Sequence, residues 1–156
     1  FFFDMTGQEI PERDYVKDGV QYTSMGWEVF PEGIYQVLTR IRDEYGNVPT
    51  YITENGAAFE DEPVEEAGRL RVHDEKRIEY VRRYTEKVAQ AVDEGVNLCG
   101  YFVWTLLDNF EWAEGYDKRF GLVYVDYESG RRIIKDSGYR YRDFIASTRE
   151  AVNQRV

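Results

Sequence analysis

The sequence predicts an α/β fold with parallel strands, and more narrowly the C-terminal part of a (β/α)8 TIM barrel. Two apolar runs, at 51–53 and 98–104, are separated by a segment with helical periodicity. The second run is continuously apolar, which is typical of a parallel strand buried on both faces. Two core strands and three helices are too few to close a barrel of eight strand-helix units and about 250 residues. We therefore expect about the last two strand-helix units plus the preceding helix.

Composition restricts the classes of partner. Of 156 residues, 42% are hydrophobic, which supports a packed core, and 32% are charged, which argues against a membrane span. The formal net charge of -10 repels phosphate backbones and anionic lipids, so neither nucleic acid nor a membrane is expected as a partner. The single cysteine, Cys99, lies in an apolar run and is predicted to be a buried core thiol. A reducing compartment is compatible with it, and we expect a cytoplasmic location.

Residues 1–30 are predicted to be a long loop preceding the first helix, because no helical or strand period is present. Trp27 lies in this loop, either as a hydrophobic latch over the core or as a ligand contact. Pro31 is expected to begin the first helix, since proline is favoured at the first helical position. The helical spacing of apolar residues continues through Ile34, Val37, Leu38, Ile41 and Tyr45.

An acidic residue, Glu54, stands at the end of the first predicted strand, in the sequence ITENG at 52–56. The β-branched residues favour an extended strand and the Asn-Gly pair favours a turn. In a parallel α/β barrel this strand end is the rim at which catalytic side chains converge. Glu54 is therefore a candidate catalytic carboxylate, with a solvated loop acid as the alternative.

The acidic stretch that follows is predicted to be a loop that runs to His73, without the ligand cluster of a metal site. His73 precedes a helix and is predicted to be structural. Asp74 is a candidate N-cap for that helix, which Gly95 is expected to end.

The second strand, 98–104, leads into a loop of alternating acids and aromatic residues at 105–112, at the same end of the sheet as Glu54. Residues 122–125 and 132–134 are predicted to form a short β-hairpin. Ser137 is a candidate cap for the last helix.

Three motifs, in order, carry a resemblance to a known family: ITENG at 52–56, WTLLDNFEW at 104–112 and RFGL at 119–122. The segment 25–145 resembles the C-terminal part of the family-1 glycoside hydrolases, the β-glucosidase and β-galactosidase group. Thr105 is a small departure, because serine is commoner there.

The resemblance implies a role for each of six residues. Glu54 would attack the anomeric carbon, and Glu111 would accept hydrogen bonds from the 4- and 6-hydroxyls of the glycone. Trp112 would contact the 3-hydroxyl, and Trp104 would form the platform under the sugar. Phe120 would lie near the 6-position, and Trp27 would border the aglycone site. A non-proline cis peptide is also implied after Trp104.

The implied activity is that of a retaining β-glycosidase that forms a covalent glycosyl-enzyme. Such enzymes use two carboxyl groups about 5 to 5.5 Å apart, a nucleophile and an acid/base. The family's acid/base glutamate lies in an Asn-Glu-Pro motif on an earlier strand, and that tripeptide does not occur here. We therefore expect a complementary N-terminal barrel fragment to supply the acid/base.

The expected substrate is an unphosphorylated β-D-glucoside, a related β-glycoside or an oligosaccharide, because the Glu111 carboxylate would repel a sugar 6-phosphate. No cofactor or metal is expected. The alternative is a catalytically inert carbohydrate-binding or interaction fragment with a face formed by Trp27, Trp104 and Trp112. The nucleophile motif favours the enzyme, since a binding face does not require it.

Overall fold

A computed structural model describes the backbone of residues 2–3, 9–10 and 17–153 and the side chains of residues 17–148. Within these residues lie three helices: α1 (Pro31–Glu44), α2 (Glu75–Asp93) and α3 (Asp136–Asn153). The strands are β1 (Phe2–Phe3), β2 (Glu9–Ile10), β3 (Thr50–Asn55), β4 (Pro63–Glu66), β5 (Arg69–Val72), β6 (Leu98–Val103), β7 (Val123–Val125) and β8 (Arg132–Ile134).

The parallel pair of β3 and β6 organises the fold, with Ile52 opposite Tyr101. Helix α2 connects the two strands, as parallel pairing requires a crossover of this kind. The predicted strand-helix-strand unit is therefore present. Because the strands are parallel, both of their C-terminal ends lie at one edge of the sheet.

Two apolar clusters hold α1 and α2 against this sheet. One contains Leu38, Val88, Ala91 and Val96, packed against Ile52, Leu98 and Tyr101 of the strands. The other contains Val29, Ala57, Phe59, Tyr80, Val81 and Tyr84. Pro31 is the first residue of α1, as predicted. Of the apolar residues that set the period of α1, Leu38 is buried, but Val37 and Tyr45 are 58% and 62% exposed, so the helical periodicity identified the core face only in part.

The opposite face of β6 differs from the prediction of a strand buried on both faces. Cys99 is an exposed free thiol, so the prediction of a core thiol is wrong. Phe102, three residues along, is 56% exposed. Residues 99 and 102 are an odd number of positions apart, so strict alternation would place them on opposite faces of the sheet. The register of β6 shifts between Leu98 and Gly100, which pair with the adjacent residues Thr50 and Tyr51 of β3, and this irregularity breaks the alternation. Leu98 and Tyr101 point towards the helices and are partly buried.

The acidic stretch before His73 is a β-hairpin rather than the predicted loop. Strands β4 and β5 pair antiparallel through the two-residue turn Ala67-Gly68, where both φ angles are positive (49° and 75°). Positive φ at both central residues produces the turn twist that hairpins favour. Pro63 is the first residue of its strand, a position that proline tolerates. The charged composition concealed the strands, because each has only four residues and two of those four are charged.

The predicted hairpin near the C-terminus is present as β7 and β8. The predicted loop 1–30 contains one antiparallel pair, β1 with β2, while 17–30 contains no helix and only the isolated bridge between Tyr22 and Glu28. The remainder of that prediction lies outside the described residues. No helix in the described ranges combines the length and apolar character needed to cross a membrane.

Candidate active site

All six residues singled out from the sequence line one cavity of about 430 Å³ at the C-terminal edge of the parallel sheet. They come from four separate segments of the chain: the loop before α1, the end of β3, the loop after β6 and the segment before β7. The lining consists of Trp27, Glu54, Asn55, Gly56, Tyr80, Trp104, Glu111, Trp112 and Phe120.

Close backbone contact at the strand ends brings Glu54 next to Trp104. The Trp104 amide donates to the Asn55 carbonyl oxygen at 3.0 Å. A Cβ at Gly56 would lie 1.7 Å from the Trp104 carbonyl oxygen, so glycine is required there for steric reasons. The Trp104–Thr105 peptide bond is cis, as the family resemblance implies.

The loop after β6 is hydrogen-bonded along the segment that carries Phe120. The Leu122 amide donates to the Thr105 carbonyl at 2.9 Å, and the Asp108 amide donates to the Val123 carbonyl at 3.0 Å. The Asp108 carboxylate accepts the Gly121 amide at 2.8 Å. Phe120 is therefore held beside the loop that continues to Glu111 and Trp112.

Trp112 begins a short 3-10 turn, Trp112–Glu114, which follows directly after Glu111. The Glu111 amide donates to the Gly115 carbonyl at 2.6 Å and closes the turn. Trp112 is 82% exposed, so its ring is available to a ligand. Across the cavity, the rings of Trp27 and Phe120 lie 6.0 Å apart between centroids. Trp27 is therefore a cavity residue, although it is also partly a latch against Phe120.

Tyr80 of α2 is a cavity residue that the sequence analysis did not identify. Its hydroxyl accepts a hydrogen bond from the Asn55 side-chain amide at 3.4 Å, and the Tyr101 hydroxyl donates to the other end of that amide at 2.8 Å. Tyr80 also stacks on Tyr84 at 4.2 Å between ring centroids. Burial raises the pKa of Tyr80, so its hydroxyl stays protonated. The helical spacing of Tyr80, Val81 and Tyr84 was the available signal for this buried face.

Behind the cavity lies a cluster of six charged side chains, five of them buried, in which every acid pairs with a base. Its members are Asp61, Asp74, Asp108, Arg77, Arg119 and Lys135. Arg77 is 1% exposed and contacts both carboxylate oxygens of Asp61, at 3.1 and 2.7 Å. Burial lowers the pKa of Lys135, and the nearby Arg77 cation acts in the same direction.

Asp74 is the N-cap residue of α2, as predicted, although its side chain makes no capping hydrogen bond to that helix. Its carboxylate accepts the Ser137 amide at 2.8 Å and the Ser137 hydroxyl at 2.5 Å, at the start of α3. Ser137 lies inside α3, which begins at Asp136, so the prediction that it caps this helix is wrong. Burial raises the pKa of the Asp74 carboxyl. Asp74 therefore begins α2 and its side chain connects this helix to the start of α3.

His73 lies outside the cavity, in agreement with a structural role. Its imidazole contacts Asp136 at 2.6 Å and Glu66 at 3.0 Å, which joins the β4–β5 hairpin to the start of α3. Hydrogen bonds to Asp136 and then Glu66 raise the pKa of His73. Among the residues with described side chains, no group of three or more His, Cys, Asp or Glu is placed to hold a metal ion.

The charge of the cavity comes from two carboxylates, Glu54 and Glu111. No lysine or arginine is among the described residues that line it. The other lining groups are aromatic rings and amides, which suit a neutral polyhydroxylated ligand with apolar C–H faces better than an anion.

Comparison with known proteins gives one family. The model of glycosyl hydrolase family 1 matches residues 4–150. A 1,4-β-D-glucan glucohydrolase of Thermotoga neapolitana is 57% identical over 131 residues, which is 84% of this chain and 29% of that protein. A 6-phospho-β-galactosidase of Staphylococcus aureus is 41% identical over 142 residues, or 90% of this chain and 29% of that protein.

The fold is also similar to that of a solved structure. The family 1 β-glucosidase of Thermotoga maritima superposes on this chain with a TM-score of 0.78 at 55% sequence identity. The matched region is 84% of this chain and 29% of the Thermotoga maritima chain. The chain thus spans a little under a third of the length of these relatives.

Proposed function

Because the chain belongs to glycosyl hydrolase family 1, we propose that it is the nucleophile-bearing part of a retaining β-glycosidase. The observation that carries the proposal is the cavity at the strand ends, in which Glu54 lies among Glu111 and five aromatic side chains. A carboxylate at the C-terminal end of a parallel strand is where barrel enzymes hold their reacting groups.

The proposed reaction has two displacements at the anomeric carbon. The Glu54 carboxylate attacks that carbon while the bond to the leaving oxygen breaks and an acid protonates this oxygen. The resulting glycosyl ester is then attacked by water, which loses its proton to the same acid/base group. The sugar leaves with its configuration retained and Glu54 is regenerated as a carboxylate.

The acid/base group is proposed to come from a complementary N-terminal part of the barrel. Strands β3 and β6 would be the last two barrel strands, with α2 and α3 as their helices. The sheet supports this proposal, since the described residues add no third strand to β3 and β6. A second, largely apolar cavity of about 740 Å³ lies beside β6 and α3, lined in part by Phe102, Leu106 and Ile145. Such a surface suits the packing of further barrel elements.

The proposed substrates are unphosphorylated β-D-glucosides and related β-glycosides. The charged groups among the described residues of the cavity are the two acids Glu54 and Glu111, and no described cation lines it. A sugar 6-phosphate would therefore be repelled by these acids. The Thermotoga neapolitana relative is named for a glucan substrate. A cytoplasmic location is part of the same proposal.

The test uses a fusion in which this chain replaces the matched part of the Thermotoga maritima β-glucosidase. We expect the fusion to hydrolyse 4-nitrophenyl β-D-glucoside, and a 2-deoxy-2-fluoroglucoside to add its glycosyl mass to the peptide that contains Glu54. Glu54→Gln is expected to lower kcat by at least about 10³-fold while deoxynojirimycin still binds, because a nucleophile is removed without loss of the sugar contacts.

The control is Glu60→Gln, an exposed acid of the following loop, which should leave kcat unchanged. An active fusion whose label falls on another residue would contradict the assignment of Glu54. A fusion that binds sugar analogues without turnover would favour the inert binding fragment.

A further inference from the structure

The ammonium group of Lys135 lies between two loops that carry cavity residues. Its Nζ is 2.6 Å from an Asp61 carboxylate oxygen and 2.8 Å from an Asp108 carboxylate oxygen. All three side chains are fully buried. Lys135 itself stands just before α3, so the bridge connects three segments that are distant in sequence.

The two carboxylates lie in two different loops, each of which follows one of the parallel strands. Asp61 lies in the loop that follows β3, the strand that carries Glu54. Asp108 lies in the loop that follows β6, three positions before Glu111. Asp108 also accepts the Gly121 amide, next to Phe120. The Lys135 bridge therefore connects the loop after the Glu54 strand with the two segments that carry Glu111 and Phe120.

Lys135 is the third base in a cluster with three acids, but it is not the only cation that contacts Asp61 or Asp108. Asp61 already has a bidentate contact with Arg77, and Asp108 has Arg119 at 2.8 Å. A further buried cation costs desolvation free energy, as the lowered pKa of Lys135 also indicates. Buried ion pairs are weak stabilisers compared with apolar packing of the same volume, but their hydrogen bonds fix geometry. Stability is therefore a poor explanation for this bridge, and positional control is a better one.

We propose that Lys135 is a positioning residue, which holds the loop of Asp61 and the loop of Asp108 at a fixed separation and so sets Glu54 against Glu111 and Phe120. This inference rests on the proposed glycosidase function. Lys135 does not touch the cavity itself, since it is absent from the lining. Its effect is on alignment during attack at the anomeric carbon.

The test variant removes the bridge and keeps the charges balanced. Lys135→Met with Asp61→Asn leaves Asp74 and Asp108 with Arg77 and Arg119, two acids and two bases. The matched control is Asp74→Asn, which changes an equally buried acid of the cluster that contacts Arg77 and Ser137 but neither Lys135 nor the Asp108 loop.

In the fusion with the Thermotoga maritima enzyme, the bridge variant is expected to lose at least about tenfold in kcat with KM changed by less than about threefold. A misplacement near 1 Å costs about 10²-fold in rate, and an interaction that matters only in the transition state leaves KM unchanged. Asp74→Asn should lower the unfolding temperature but keep kcat within about twofold. A purely structural role would affect both variants alike. The inference is overturned if the bridge variant keeps its kcat, or if the control loses as much.

A second measurement does not depend on turnover. The three tryptophans of the chain, Trp27, Trp104 and Trp112, all line the cavity. With 5-fluorotryptophan in the 156-residue chain, the bridge variant should shift the fluorine resonances of Trp104 and Trp112, and Asp74→Asn should leave both in place. Unchanged resonances in the bridge variant overturn the inference. If the parent fusion has no turnover, the proposed function fails and these spectra alone decide whether Lys135 positions the loops.

Discussion

Replacement of Gly56 by alanine tests the close approach on which the site depends. The new Cβ would lie 1.7 Å from the Trp104 carbonyl oxygen and 2.7 Å from its carbonyl carbon. Both partners are main-chain atoms, so no side-chain rotation can relieve the clash. Because contacts of a real Cβ begin near 3.0 Å, the end of β3 and the Trp104 carbonyl must separate by at least about 1.3 Å.

The expected cost follows from two opposing effects. Overpacking of this kind costs about 1–3 kcal/mol, and a clash between main-chain atoms belongs at the upper end. Alanine also lowers the entropy of the unfolded chain, which returns about 0.4–1 kcal/mol. A net loss of about 2 kcal/mol in the free energy of unfolding would lower the unfolding temperature by about 4–8 °C for a chain of this size.

The assay is equilibrium urea unfolding of the chain together with kcat of the fusion. A displacement above 1 Å beside Glu54 should also lower kcat by about 10²-fold. Gly130→Ala is the control: this glycine has a φ of 70° in the turn before β8 and no atom within 4 Å. It should lose about 1–2 kcal/mol because alanine is strained at positive φ, with unchanged kcat. If Gly56→Ala stays within about 0.5 kcal/mol of the parent, the close approach is not a constraint and the reasoning fails.

Two further predictions concern the core and the hairpin. Leu38 is 2% exposed, so Leu38→Ala should lower the free energy of unfolding, measured in urea, by about 2–5 kcal/mol. Val37 is 58% exposed, so Val37→Ala should change this free energy little. Equal losses in the two variants would refute the assignment of Leu38 to the core. For His73, contacts with Asp136 and Glu66 raise the pKa above its ordinary 6.5, so the stabilisation is full below pH 6.5 and is lost as the pH rises through the higher folded-state value. Unfolding temperatures measured from pH 6 upward should fall, and His73→Gln should remove that part of the slope; a slope that persists in the variant would assign it to other groups.

The main elements could be predicted because each has a strong local signal. Helix α1 follows from Pro31 and its apolar spacing, and β6 follows from a run of apolar residues. The β4–β5 hairpin could not be found in this way, because it is built from charged residues and a turn with positive φ at Ala67. The exposure of Cys99 could not be predicted either, since an apolar run does not indicate whether other elements pack on one face of the strand or on both.

The residues of the candidate site that lie in short contiguous motifs could be predicted from the sequence. Glu54, Trp104, Glu111 and Trp112 were identified from the residues and the family resemblance, and they line one cavity. Tyr80 was missed because its place in the cavity depends on how α2 packs against Asn55. Their individual roles in the reaction stay predictions.

By itself, the sequence determined the order of the three helices, the two parallel strands and the C-terminal hairpin, because backbone preference and apolar periodicity act over a few neighbouring residues. Only the tertiary structure decided which charged groups meet in the interior. Asp61, Asp108 and Lys135 are far apart along the chain and have no shared local pattern. Their pairing arises because burial removes water from all three, and each buried charge must then find a partner of opposite sign.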